Sequence, residues 1–130
     1  MATAENLQTL SATAGEAIAI YRFVSLQSDG KYDVGVGTDD FLAEGVSAEA
    51  AAADGDLFAM APCGQPAIMK IEAAEAISVG DLVGAQGSTG KALVANTVGA
   101  SKYSHGRALE AAAADGDIIS ILLHVAGRQV

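Results

Sequence analysis

Turn-forming residues recur so often along this chain that no long regular element fits between them. Ser28-Asp29-Gly30, Thr38-Asp39-Asp40, Asp54-Gly55-Asp56, Pro62-Cys63-Gly64, Gly80-Asp81, Gln86–Gly90 and Asp115-Gly116-Asp117 cut the 130 residues into short pieces. Asp-Gly and Gly-Asp steps favour tight turns because glycine reaches positive φ without a Cβ penalty. Several of the pieces alternate with a period of two, the mark of a strand. Ala17–Val24 sets Ile18, Ile20 and Val24 on one face and Tyr21 and Phe23 on the other. Tyr32–Val36, Phe41–Val46, Leu57–Ala61, Ala67–Ile71, Lys91–Val94 and Ile118–Val125 follow, the last being the longest apolar run, while Ile77–Val83 holds a Gly-Asp step followed by apolar residues. Short strands at close spacing predict an all-β fold, a small barrel or sandwich rather than alternating βαβ units. Pro62–Pro66 reads as a compact loop, and the poorly patterned Asn96–His105 as a surface excursion.

One segment occurs twice. Glu-Ala-Ala-Ala-Ala-Asp-Gly-Asp stands at Glu49–Asp56 and again at Glu110–Asp117, each copy running straight into an apolar stretch. Its first five residues have high helix propensity, but a helix that short does not survive nucleation in water. The segment therefore reads as a helical turn or bent connection that delivers the chain into a strand at Leu57 and at Ile118. A longer helix at either copy is the alternative, and at most one or two short helical turns are expected in the whole fold. Gly80-Asp81 is a looser version of the same device. Asp54, Gly55, Asp56, Gly80, Asp81, Asp115, Gly116 and Asp117 are thus expected to serve as structural turns. A calcium loop would need six or more oxygens, usually with a later bidentate Glu. No Glu follows either copy at such spacing, so no metal is expected.

Charge narrows the function classes. Sixteen acidic against seven basic residues give a net charge of −9, and the basic ones, Arg22, Lys31, Lys70, Lys91, Lys102, Arg107 and Arg128, are scattered. Binding a phosphate backbone requires clustered cations that release counterions, so neither nucleic acid nor an anionic membrane is an expected partner. No apolar run reaches the ~18–20 residues of a membrane helix. Met1–Gly15 lacks the basic start and apolar core of a secretion signal, and the single Cys63 rules out an intramolecular disulfide. Synthesis and folding in a cytoplasm are expected. With 28 Ala and 15 Gly against six aromatic residues, the core buries little area per residue. A thin margin over chain entropy favours self-association.

Catalytic patterns fail on inspection. Gly84–Ala92 looks like a phosphate-binding loop, but Ala85 stands where the pattern needs Gly and Ala92 where it needs a hydroxyl. Cys63 and His105 have no identifiable orienting Asn or Asp, and His124 lies in a strand-like run as a packed or edge histidine. No catalytic residue and no cofactor is expected: the chain reads as a structural protein, not an enzyme.

Met1–Gly15 is polar, with Leu7 and Leu10 as its sizeable apolar groups, and reads as an extended arm. Leu7 and Leu10 are the candidate partner contacts of that arm, and residues 16–130 are expected to form a single β-rich domain. The order of segments from Ala17 to Val125 resembles the capsid decoration (cement) proteins of tailed bacteriophages. The likeness rests on Gly45-Val46 with Ala51–Asp56, then Ala76–Val83, then Gly106–Glu110, then Ala112–Asp117 and a closing strand. It implies a compact β-barrel or β-tulip-like domain that assembles as a homotrimer on the outer capsid surface. There it would bind the major capsid protein lattice and resist internal pressure, with no catalytic residue to carry over. The arm of such proteins often lies along the shell. Two other classes stay open: a fibre or spike subunit of a virion, and a small β-barrel module that binds carbohydrate or peptide. Six aromatics offer few stacking platforms for a sugar.

Overall fold

The computed structural model describes residues 8–65, 67–95 and 103–129, with side chains as far as Leu123, and every regular element among them is a strand. The strands are β1 (Leu10–Thr13), β2 (Phe23–Leu26), β3 (Tyr32–Asp33), β4 (Gly45–Ser47) and β5 (Leu57–Pro62), then β6 (Ile68–Glu72), β7 (Leu82–Ala85), β8 (Ala92–Val94), β9 (Tyr103–Ala108) and β10 (Ile118–Gln129). They form two five-stranded antiparallel sheets, ordered β1-β5-β4-β2-β3 and β6-β10-β9-β7-β8. The fold is all-β.

The second order is the first advanced by five strands, and the details repeat with it. Each sheet curls until its outermost strands meet: parallel bridges join Ala14 to Tyr32 and Ala73 to Ala92. The Gly15 N–H donates to Tyr32 O at 2.8 Å, and the Ala74 N–H to Ala92 O at 2.9 Å. Antiparallel bridges pair Ile18 with Ala51 and Ile77 with Ala112. The chain is a tandem duplication of one β unit.

Small side chains are required at the centre of each unit. A Cβ on Gly45 of β4 would lie 2.6 Å from the Ala61 carbonyl oxygen, and one on Gly106 of β9 would lie 3.0 Å from that of Leu122. Two cores result. One lies wholly within the first unit, around Ile18, Val24, Phe58 and Met60, with Tyr32 set edge-on to Phe58 at 6.2 Å. The larger core is shared: Phe23, Phe41 and Val46 of the first unit pack with Ile71, Ile77, Val83, Ile119 and Ile121 of the second.

Three readings of the sequence need correction. The strand expected over Ala17–Val24 begins only at Phe23, because Ile18 is engaged by Ala51 and Tyr21 takes a left-handed φ of 64°. Of the alternatives for the alanine repeats, the helical turn and the longer helix are absent and the bent connection is what forms: Ala51 and Ala112 are bridge partners in the sheets, and the chain then turns into β5 and β10. The excursion expected over Asn96–His105 ends in β9, where Ser104, His105 and Gly106 are buried; residues 96–102 lie outside the described residues. Within the segment read as an arm, Leu10–Thr13 is β1, in register with β5 from Leu10–Met60 to Thr13–Leu57.

Candidate functional site: the duplicated turns and the junction

In both copies of the repeat the Asp-Gly-Asp residues close a four-residue turn. The Asp56 N–H donates to Ala53 O at 3.1 Å, and Asp56 Oδ2 accepts the Ala53 N–H at 3.1 Å. In the second copy the Asp117 N–H donates to Ala114 O at 3.3 Å, and Asp117 Oδ2 accepts the Ala113 N–H at 2.8 Å. Gly55 and Gly116 hold φ of +92° and +97°, the conformation a type II turn demands at its third residue. Each turn is then pinned to the strand it faces. Gly55 and Gly116 donate to Ala14 O and Ala73 O, both at 2.8 Å, and Ala14 and Ala73 return bonds to Asp56 O and Asp117 O. The leading glutamates finish the device: Glu49 Oε1 accepts the Ala59 N–H at 2.9 Å and Glu110 Oε1 the Ser120 N–H at 2.8 Å. The Ser120 bonds hold the Glu110 carboxyl below the ordinary glutamate value.

Gly80-Asp81 makes the third such turn, with φ +89° at Gly80 and Asp81 Oδ2 accepting the Ser78 N–H at 2.9 Å. At the matching place in the first unit stand Tyr21 and Arg22. There Ser47 replaces the carboxylate: its Oγ accepts the Arg22 N–H at 3.0 Å and donates to Ala19 O at 2.7 Å. Tyr21 carries the left-handed conformation that glycine has in the other unit.

The outer aspartates of the triplets face lysines rather than a vacancy. Lys31 Nζ lies 2.8 Å from Asp54 Oδ1, and Lys91 Nζ 2.8 Å from Asp115 Oδ1. The Asp54 and Asp115 bonds are the largest cause holding the two ammonium groups above the ordinary lysine value. An ammonium on one aspartate and backbone N–H groups on the other leave little for a divalent cation. Among the described residues no group of three His, Cys, Asp or Glu side chains is placed to hold a metal.

Only the second lysine is tied to the other half. Lys91 Nζ also reaches Glu72 Oε2 at 3.1 Å, and Glu72 Oε1 meets Arg22 Nη2 at 3.3 Å. Arg22 Nη1 donates to Thr89 O, the Glu72 N–H to Tyr21 O, and the Phe23 N–H to Gly90 O. The stretch resembling a phosphate loop is this junction. The backbone donors of its loop glycines are spent, with the Gly87 N–H on Asp39 Oδ1 at 2.8 Å and the Gly90 N–H on Gln86 O at 2.8 Å. A Cβ on Gly87 would lie 2.5 Å from the Thr38 nitrogen, so only glycine permits this approach.

His105 is fully buried in β9, tilted against Phe23 with ring centroids 5.5 Å apart. Its Nε2 lies 3.0 Å from both the Ala43 nitrogen and the Phe41 oxygen, so it stitches the Phe41–Ala43 loop to β9. Burial, aided by the Glu44 carboxylate, pushes the Cys63 thiol up to about 12, far from the thiolate a nucleophile needs. Leu10 is exposed on β1, whereas Leu7 lies outside the described residues. What the reading by segments passed over was the duplication. The signal was present: Glu16-Ala17-Ile18 returns as Glu75-Ala76-Ile77, and Gly30-Lys31 as Gly90-Lys91, in the same order as the longer repeat.

These features define a duplicated all-β protein whose conspicuous polar groups hold turns and a joint. The phage cement protein family matches residues 3–124, nearly the whole length, and the chain belongs to that family; it is a structural protein of a phage virion. The fold is similar to that in the crystal structure of the head fibre gp8.5 N base of bacteriophage phi29. The TM-score is 0.65 at 22% identity, covering 90% of this chain and 93% of that one. No curated protein sequence matches the chain.

Proposed function

We propose that this protein decorates and stabilises a phage capsid, binding the outer surface of the major capsid protein lattice as a homotrimer and catalysing no reaction. The family match over residues 3–124 carries the reading. The geometry supports it: the side chains of Glu49, Asp56, Glu72, His105, Glu110 and Asp117 are bonded into turns and joints. The thin, alanine-rich core gains from assembly, and many weak contacts repeated around a trimer gain from multivalency. The residues before β1, Leu7 among them, would extend along the shell with exposed Leu10 beside them, and the chain from β1 onward would act as one folded body. Purified protein mixed with undecorated heads should co-sediment with them, and should run as a trimer in analytical ultracentrifugation. A protein that stays in the supernatant at every concentration refutes capsid binding. A monomer refutes the assembly state. A fibre base is the second reading, favoured by the structural likeness to the phi29 head fibre base. Elongated particles under negative stain would select it.

A further inference from the structure

The two halves share one sheet face that is covered in the first and exposed in the second. In the first half, register sets Phe23 beside Val46 and Val46 beside Ala61, a row across β2, β4 and β5. Their chain neighbours Val24 and Met60 turn into the first unit's own core, so the row lies on the opposite face of the sheet. All three side chains are fully buried, packed with the second half. In the second half the matching row runs through Leu82, Arg107 and Leu122 on β7, β9 and β10, and continues to Ile68 on β6. There Val83, Ile121 and Met69 turn inward and the row faces out. Arg107 is exposed, Leu122 is 43% exposed, and Leu82 and Ile68 are half-buried.

The surface that receives the first row also has a counterpart, and it is open. Phe23 seats on the β7–β8 hairpin: its N–H donates to Gly90 O at 2.7 Å, and a Cβ on Gly90 would lie 2.4 Å from Phe23 O. Ala85, the last residue of β7, is fully buried and accepts the Asp40 N–H at 2.6 Å. In the β2–β3 hairpin Gly30 holds the place of Gly90, each at positive φ ahead of its lysine, yet a Cβ on Gly30 would meet nothing within 4 Å. Leu26, the last residue of β2, is 47% exposed where Ala85 is buried. The chain thus holds one completed contact in its middle and keeps one side of the same contact open on each half, a face on the second and a hairpin on the first.

We infer that a second copy of this chain completes both: the outward face around Leu122 seats on the next chain's β2–β3 hairpin, as Phe23, Val46 and Ala61 seat within one chain. Arg107, in the place of Val46, donates its Nε–H to Gly80 O at 3.0 Å, so its head group is held by its own half and its aliphatic stem adds to the row. Such a head-to-tail contact closes into a ring or runs on as a filament. The inference rests on the proposed homotrimer, which is the closed form, and adds which two surfaces make it.

The test is sedimentation velocity of the full chain over a concentration series for wild type, Leu122→Gln, Leu26→Gln and an equimolar mixture of the two variants, with circular dichroism melts as the folding control. Both leucines are exposed in the single chain, so both variants should melt as the wild-type monomer does. Each alone should associate roughly tenfold or more weakly than wild type, because a polar amide replaces an apolar contact at the centre of the interface. The mixture should form a one-to-one dimer and stop there, since the intact face of one variant finds the intact hairpin of the other. If wild type assembles and folded Leu122→Gln assembles equally well, that face meets something other than a second copy; the inference is overturned while the assembly stands. A mixture no more associated than its components overturns head-to-tail docking. A wild type that is monomeric at every concentration removes the proposed homotrimer, and this inference with it.

Discussion

At Gly116 the backbone holds φ +97°, and a Cβ added there would meet no atom within 4 Å. The whole cost of a side chain at that position is therefore conformational, about 1–2 kcal/mol for an L residue in the left-handed region. Gly116→Ala should lower the unfolding free energy in urea by about that amount, and Gly55→Ala, at φ +92° in equally open space, should match it. The two turns lie in different halves and share no partner, so the double variant should be additive to within ~0.5 kcal/mol. Cys63 makes a second residue-scale case. With its thiol pushed up to about 12 by burial, native protein at pH 8 holds little thiolate. Iodoacetamide should label the native chain roughly a thousandfold more slowly than the urea-unfolded one; equal rates would show the thiol to be open. At this scale the sequence was most legible where glycine chemistry is obligatory. Asp54-Gly55, Gly80-Asp81 and Asp115-Gly116 were readable as turns because few other residues reach that φ. Tyr21 was opaque for the same reason: nothing in the letters marks a tyrosine that takes a glycine's conformation. His105 was read as surface because histidine in a polar stretch gives no periodic signal, yet it is held inside by the Phe41–Ala43 loop.

Between elements, the difference that matters is between the twin lysines. Lys31 binds Asp54 on an open surface, whereas Lys91 binds Asp115 and also Glu72, which in turn holds Arg22 of the other half. Glu72 thus ties β6 to the segment entering β2 and to the β7–β8 hairpin. Glu72→Gln should cost about 1 kcal/mol, with the loss shrinking as salt screens the pairs. The pH response follows from the sign of the shift. The Asp115 and Glu72 bonds raise the folded Lys91 pKa above 10.5, so the stability it lends is full below pH 10.5 and fades as the pH climbs through the folded value. Lys91→Met should therefore differ from wild type by a constant amount in thermal melts up to about pH 10 and converge with it above. Lys31→Met should show the same form with a smaller gap, its side chain being the more exposed. A gap that widens with rising pH would reverse the assignment. Strand identity was legible at this scale wherever a Gly or Asp turn abutted a clean alternation, as at Leu57, Ile68 and Ile118. The alanine repeats misled because helix propensity is local, while Ala51 and Ala112 are decided by distant partners, Ile18 and Ile77.

For the whole molecule the duplication raises the question of whether the halves are two bodies or one. The first half has a core of its own, but Phe23, Phe41 and Val46 leave it to pack with the second half, whose larger buried apolar residues among those described, Met69, Ile71, Ile77, Val83, Ile119, Ile121 and Leu123, belong to that shared core. Backbone bonds cross the same joint at Tyr21–Glu72, Phe23–Gly90, Gly37–Gly87 and Asp40–Ala85. Among the described residues the second half has no separate core to keep it folded once the first has opened. We propose one cooperative unit from β1 onward, and calorimetry decides it: one transition is expected, with calorimetric and van't Hoff enthalpies equal per cooperative species. Phe23→Ala removes a fully buried ring from the joint and should cost about 3–5 kcal/mol, lowering that transition without splitting it. Two separate endotherms in wild type, with Phe23→Ala shifting only one, would instead make the halves independent domains. In a trimer the transition should also rise with protein concentration, because association stabilises the folded chain by mass action. A concentration-independent midpoint alongside a single transition would keep the folding unit and remove the assembly.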